Sequence, residues 1–172
     1  MRRRLVSAQR VLGALGLAAL CGWSTAAPLA MTLELPKLDG TAFVRLDDYA
    51  GRPVLLNFWG SECPPCVAEM PLLFAQALRQ PGLQFIGIAI DQRAAATRFL
   101  ARFQPTYPQL IAPANGEVLL RRFGNKRGAL PFTVVMNDQH RICMTQSGEV
   151  DAAWIAAAVS HCSRTTSLQQ RP

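Results

Sequence analysis

The side chains best suited to chemistry in this chain are two cysteines held two prolines apart, Cys63-Pro64-Pro65-Cys66. At the start of a helix, positions i and i+3 share a face, so the two sulfurs can close a small ring and reopen it. The helix N-terminus favours a thiolate on the first cysteine. The two prolines restrict the backbone between the sulfurs at little cost, because the first-turn N–H groups have no helical partner. This spacing suits reversible disulfide exchange. Haem attachment needs His directly after the second cysteine, where Val67 stands. Structural zinc needs two further ligands, and Cys143 and Cys162 form no second close pair. A purely structural bridge over so short a loop would remove little unfolded-state entropy.

The elements around the pair must place it at the end of a buried strand. Val54 to Trp59 is a continuous apolar run, Pro64 to Leu78 has helix length, and Leu83 to Asp91 is a second apolar run. Strand, helix, strand in this order predicts a right-handed parallel crossover, with chemistry at the carboxyl end of the first strand. Before it, Leu33 to Val54 alternates and turns at Leu38-Asp39-Gly40 and Gly51-Arg52-Pro53, as a hairpin does. After it, Gln92 to Phe103 reads as a helix. Pro105, Pro108 and Pro113 confine Tyr107 to Ile111 to a short extended piece, and Gly116 to Phe123 forms a brief helix. Phe132 to Asn137 is a strand, Asp138 to His140 a turn, and Arg141 to Gln146 its antiparallel partner. Asp151 caps a last helix to about Ser160. The chain is 172 residues long, 50% hydrophobic and 17% charged, which suits one α/β domain, over 31–162, with a flexible tail over 163–172.

The formal charge is +7, but Arg2, Arg3, Arg4 and Arg10 precede an apolar run, Val11 to Trp23, and a small-residue segment, Ser24 to Ala27. This is the layout of a secretory signal. Residues 1–30 are therefore expected to be a signal peptide cut near Ala26, or else an uncleaved N-terminal anchor. Without those four arginines, 14 basic residues face 11 acidic ones, and no basic-and-aromatic interleaving suggests a nucleic-acid module. Cys21 follows Leu20, where lipid attachment would want Gly or Ala, so it is expected to leave with the signal. Four cysteines remain, and an even number suits paired sulfurs in an oxidising compartment.

The segment Val54 to Pro71 (Val-Leu-Leu-Asn-Phe-Trp-Gly-Ser-Glu-Cys-Pro-Pro-Cys-Val-Ala-Glu-Met-Pro) resembles the active-site region of TlpA/ResA-like periplasmic thioredoxins. Leu38-Asp39-Gly40, Leu46, Gly51 and the later Leu130-Pro131-Phe132-Thr133 extend the resemblance over about 33–162. It implies a thioredoxin-like fold, with a central mixed sheet flanked by helices and an N-terminal β-hairpin extension. Cys63 would be the exposed nucleophile, Cys66 the buried resolving thiol, and Pro71 a kink in the active-site helix. Leu130-Pro131 would be a cis-proline dipeptide facing the disulfide. Glu69, three residues after Cys66 and so on its face, would lie below the disulfide and move protons to or from the thiols. Asn57 stands where ordinary thioredoxins keep a buried aspartate, which makes Glu69 the substitute acid. Trp59, Pro64, Pro65 and Leu130 would shape the site.

Two positions depart from the pattern. Glu62 replaces the tryptophan usual before the first cysteine. If it points inward, its charge destabilises the Cys63 thiolate and favours a reductant; it can instead point to solvent. Ala129 stands where the family more often has glycine, two residues before the proline.

The resemblance implies a periplasmic thiol:disulfide oxidoreductase, chiefly a protein-disulfide reductase, that needs no cofactor or metal and acts as a monomer. Electrons would come from a membrane dithiol donor, and substrates would be cytochrome c maturation proteins or other exported cysteine proteins. A different class of answer is a non-catalytic thioredoxin-like module that binds a copper-trafficking or other client. Cys143 and Cys162, on elements that neighbour each other in this fold, would form a second, structural disulfide, or else be free thiols or include a shuttle at Cys162. Arg121, Arg122, Lys126 and Arg127 form either a solvated face or a patch that steers an acidic partner. His140 and His161 lack companion ligands.

Overall fold

A computed structural model describes residues 30–112 and 116–169, with no account of the side chains of 165–169. The signal or anchor, Cys21 and Pro113 lie outside the described residues. Among the described residues no helix is long and apolar enough to cross a membrane.

A two-stranded antiparallel hairpin, β1 (Glu34–Pro36) and β2 (Phe43–Arg45), precedes a five-stranded mixed sheet. That sheet comprises β3 (Val54–Trp59), β4 (Gln84–Ala89), β5 (Gln109–Ile111), β6 (Phe132–Met136) and β7 (Ile142–Ser147), in the order β5-β4-β3-β6-β7. Strand β3 runs parallel to β4 and antiparallel to β6. Among the described residues four α-helices complete the fold, α1 (Pro64–Arg79), α2 (Arg93–Leu100), α3 (Gly116–Arg122) and α4 (Ala152–Gln169), with a 3-10 turn at Leu46–Tyr49. The hairpin joins the free edge of β5, where the Leu38 N–H donates to the Gln109 carbonyl at 2.8 Å, and so shields that edge from pairing elsewhere.

All six residues of β3 are buried because each face of the sheet is covered. Leu55 and Trp59 pack into one apolar layer with Cys66, Met70, Leu73 and Phe74 of α1, Phe99 of α2 and Ile155 of α4. Val54, Leu56 and Phe58 face the other layer, with the hairpin and Leu120 and Phe123. Alternation along β3 therefore turns Asn57, alone among polar residues in that strand, toward α1. Helix α1 buries Cys66, Glu69, Met70, Leu73 and Phe74, the i, i+3, i+4, i+7, i+8 stripe of an amphipathic helix, so Glu69 lies on the apolar face.

Helix α1 runs through Pro71, whose missing N–H removes the bond to the Val67 carbonyl without ending the helix. Two other boundaries differ from those expected. Helix α2 stops at Leu100, and Ala101–Phe103 turns instead, with the Phe103 N–H on the Leu100 carbonyl. Helix α4 runs past Ser160 to Gln169, with the Ser163 hydroxyl donating to the Val159 carbonyl and the Arg164 guanidinium to Ser160 Oγ. No Gly or Pro interrupts Ala152–Gln169.

A disulfide joins Cys143 of β7 to Cys162 of α4, with Cα atoms 5.4 Å apart, and fastens that helix to the edge strand. It closes a chain separation of 19 residues. Replacing both cysteines by Ala is expected to lower the unfolding free energy by about 3 kcal/mol, read by urea denaturation without reductant. Disulfide exchange through Cys63 should survive the change.

Gly87 in β4 has a packing reason. A Cβ there would overlap the side-chain amide of Gln109, which crosses β4 so that its Oε1 accepts from the Trp59 indole N–H at 3.1 Å. Gly87→Ala is expected to displace that amide and cost about 1–3 kcal/mol, with altered Trp59 fluorescence.

Candidate active site

The polypeptide leaves β3 at Trp59, turns at Gly60, and enters α1 with Cys63 as its N-cap. Two bonds fix this turn: the Ser61 N–H donates to Asp91 Oδ2 at 2.7 Å, and the Cys63 N–H to the Gly60 carbonyl at 3.3 Å. Cys63 and Cys66 are disulfide-bonded with Cα atoms 5.2 Å apart, and the Cys66 N–H points at Cys63 Sγ, 3.3 Å away. Cys63 is half-buried, whereas Cys66 is 0% exposed. An incoming thiolate can reach only the first sulfur, and a thiolate formed on Cys63 sits where the helix N-terminus stabilises negative charge. Pro64 is exposed, Pro65 is half-buried, and both lie in the first turn.

Glu62 is exposed. Its carboxylate stands in water, where its influence on the Cys63 sulfur is screened, so the inward orientation that favoured a reductant is not adopted. Trp59 is fully buried, tilted against Phe99 with ring centroids 5.5 Å apart. It supports the site from the core and forms no wall around the sulfurs.

The Leu130-Pro131 peptide is cis, and Pro131 is buried, with its carbonyl accepting the Gly148 N–H at 2.9 Å. A Cβ on Gly60 would stand 3.5 Å from Leu130 Cδ1 and 3.9 Å from Cys63 Cβ, so Leu130 and Cys63 flank the same small gap. The buried Asn125 sets the loop leading to Leu130 by donating from Nδ2 to the Ala129 carbonyl at 2.7 Å. On the adjoining surface, Arg121 pairs with Glu117 at 3.1 Å and Arg122 donates to Thr32 Oγ1, while Lys126 and Arg127 are exposed.

Glu69 is only 3% exposed. Its Oε1 accepts from Asn57 Nδ2 at 2.7 Å, and its Oε2 accepts from the Val150 N–H at 3.0 Å. Burial pushes the Glu69 carboxyl above the ordinary glutamate range; the Val150 and Asn57 donors pull against that, and the Glu149 charge adds to it. The Glu69 carboxyl thus lies one helical turn beyond Cys66, on the same buried helix face, with a raised proton affinity.

The structure thus brings Cys63, Cys66, Glu69, Leu130 and Pro131 to one end of the sheet and leaves Glu62 outside. Cys143 and Cys162 are joined on a different pair of elements. Three partners escaped sequence reasoning. Asp91 was legible as an acid at the carboxyl end of a parallel strand, where loops meet the site. Thr133, whose Oγ1 accepts from Asn57 Nδ2 at 3.1 Å, lies two residues past Pro131. Val150 acts through its backbone, for which no side-chain signal exists. Among the described residues, no three or more His, Cys, Asp or Glu side chains gather as a metal set.

Residues 24–159 match the Redoxin family. The thiol-disulfide oxidoreductase ResA of Halalkalibacterium halodurans is 29% identical over 123 residues, which make up 69% of this chain and 66% of that protein. The chain spans less than two thirds of the length of this and other curated ResA relatives. A thioredoxin-related protein from Neisseria meningitidis serogroup B shares the fold with a TM-score of 0.66 at 29% identity, covering 76% of this chain and 99% of that one. A secreted thiol-disulfide isomerase from Corynebacterium glutamicum does so with a TM-score of 0.65 at 26% identity, covering 75% and 81%. The mixed sheet flanked by helices is therefore a thioredoxin-like fold.

Proposed function

The chain belongs to the Redoxin family, among its TlpA/ResA-like members, and from that premise we propose that it is an exported thiol:disulfide oxidoreductase working as a reductant of protein disulfides. The observation that carries this is the asymmetric pair at the α1 N-terminus, Cys63 half-buried and Cys66 sealed, with the Glu69 carboxyl buried behind it.

The reaction follows from that asymmetry. The Cys63 thiolate attacks one sulfur of a partner disulfide, forming a mixed disulfide and releasing the other partner sulfur as a thiolate. The Cys66 thiol passes its proton to the Glu69 carboxylate and attacks Cys63 Sγ, releasing the second partner sulfur, to which the proton is returned. Two electrons have then moved to the partner, and Cys63–Cys66 is oxidised. A carboxylate buried beside the thiols disfavours their ionisation, which raises the reducing power of the dithiol. The half-buried Leu130, beside Cys63 and ahead of the cis Pro131, is where an extended partner segment would dock.

Export is supported by the basic and apolar residues of 1–23 and by the likeness to a secreted thiol-disulfide isomerase. A membrane dithiol would regenerate the reduced pair, and oxidised Cys-x-x-Cys-His segments of apocytochromes c would be one substrate class. To test this, the reduced protein is mixed with a disulfide-bonded Cys-x-x-Cys-His peptide and thiol release is followed. Stoichiometric conversion well above the rate with free dithiothreitol supports the proposal; no conversion, with tight metal binding by the reduced pair, would favour a client-binding module.

A further inference from the structure

Behind the cysteines, Asn57 is 1% exposed and uses its amide in an unequal way. Its nitrogen serves two acceptors, Glu69 Oε1 at 2.7 Å and Thr133 Oγ1 at 3.1 Å, while its oxygen is buried with no hydrogen-bond partner. An unpaired buried carbonyl is unfavourable, so something else must hold the amide in this orientation. The cause is Glu69: an ionised carboxylate only accepts, and it requires N–H donors. Once Glu69 carries a proton, that preference reverses. A carboxyl O–H needs an acceptor, and the Asn57 oxygen turned into the nitrogen's place would supply it. The Thr133 hydroxyl fits both orientations, accepting from Nδ2 in one and donating to Oδ1 in the other. Each orientation leaves one amide atom unpaired, so neither is strongly favoured except through the proton on Glu69.

We propose that Asn57 is the positioning residue for proton transfer at Glu69, and that its side-chain amide reverses when Glu69 gains or loses a proton. This rests on the reading of Glu69 as the proton carrier for Cys66. The groups around the two side chains are Thr133 on β6, the Val150 N–H and Glu149 in the β7–α4 loop, Tyr107 ahead of β5, and Cys66 one turn earlier on the buried face of α1. Tyr107 is itself buried and electrostatically linked to Glu69, and burial raises its phenol well out of the neutral range. In the oxidised protein the cysteines do not titrate, which leaves Glu149 as the other nearby carboxyl, and a Glu149→Gln background removes it.

The test is an NMR titration of the oxidised protein, following the Glu69 side-chain carboxyl carbon and the Asn57 side-chain amide together. Asn57 signals moving with the Glu69 midpoint, and becoming independent of pH in Glu69→Gln, are expected. Asn57 signals that stay fixed while Glu69 titrates would overturn the reversal. Asn57→Ala removes a donor to the charged form and is expected to raise the Glu69 midpoint by about 1 pH unit, with the acid limb of the exchange-rate profile moving alongside. If that variant fails to fold, Asn57→Asp, of the same shape, must share one proton with Glu69 and raises the midpoint further. An unmoved Glu69 midpoint in the folded variant would overturn the positioning role. A Glu69→Gln protein whose exchange profile matches the parent would instead overturn the proton-carrier reading, while the NMR titration still reports on the Asn57–Glu69 coupling itself.

Discussion

Cys66→Ser protein, reduced and mixed with a disulfide-bonded substrate, is expected to accumulate as a covalent mixed disulfide through Cys63, whereas Cys63→Ser protein is neither trapped nor active. The difference follows from burial. Cys63 is the half-buried N-cap of α1, open to an incoming sulfur and close to the helix N-terminus; Cys66 is sealed from solvent. A serine at 63 replaces the nucleophile by a hydroxyl with no thiolate character, so turnover should fall on the order of 10³-fold or more, to the background rate. A serine at 66 leaves the first attack intact and removes the resolving sulfur. Non-reducing electrophoresis and mass spectrometry distinguish the two variants, and trapping through Cys66 in a Cys63→Ser protein would reverse the assignment.

Glu69→Gln is the second large effect, and it has opposite signs on activity and stability. The substitution removes the group that takes up the Cys66 proton, so exchange at neutral pH should slow by on the order of 10²-fold, and the pH profile should lose its acid limb. Stability moves the other way. Burial raises the folded-state proton affinity of Glu69 above that of the unfolded chain, so the folded state binds the extra proton. Its contribution is fully present below the unfolded carboxyl pKa and is lost as pH rises through the raised folded value. Above that raised value the parent protein therefore bears the cost of a buried charge that glutamine does not carry. Thermal melts should show Glu69→Gln more stable than the parent at pH 7, with the difference shrinking as the pH falls toward 4. A variant that melts lower at pH 7, or keeps the parent's pH–rate profile, contradicts this role.

The strands and helices of the fold were legible where periodicity is strong. Val54–Trp59 could be read as a buried strand residue for residue because both its faces are covered, and Glu69 could be placed beside Cys66 because helical spacing fixes which side chains share a face. Boundaries set by local bonding were less so. Helix α4 outruns Ser160 because nothing in its polar continuation breaks a helix, although Ser and Thr there suggest a loop. The partners of Glu69 were hidden for a different reason. Asn57 and Thr133 meet across β3 and β6, 76 positions apart in sequence, and Val150 contributes a backbone N–H from the β7–α4 loop. Glu62 shows the limit for loop side chains, since its orientation depends on a turn held by Asp91 and not on its own neighbours.

The most direct test of the account is the reduction potential of the Cys63/Cys66 couple, equilibrated against thiol buffers in a protein whose Cys143 and Cys162 are replaced by Ser. With Glu69 buried behind the pair, a potential below about −200 mV, on the reducing side of the known range, is predicted. A potential near about −120 mV would mark a strong oxidant and contradict the proposed direction of electron flow.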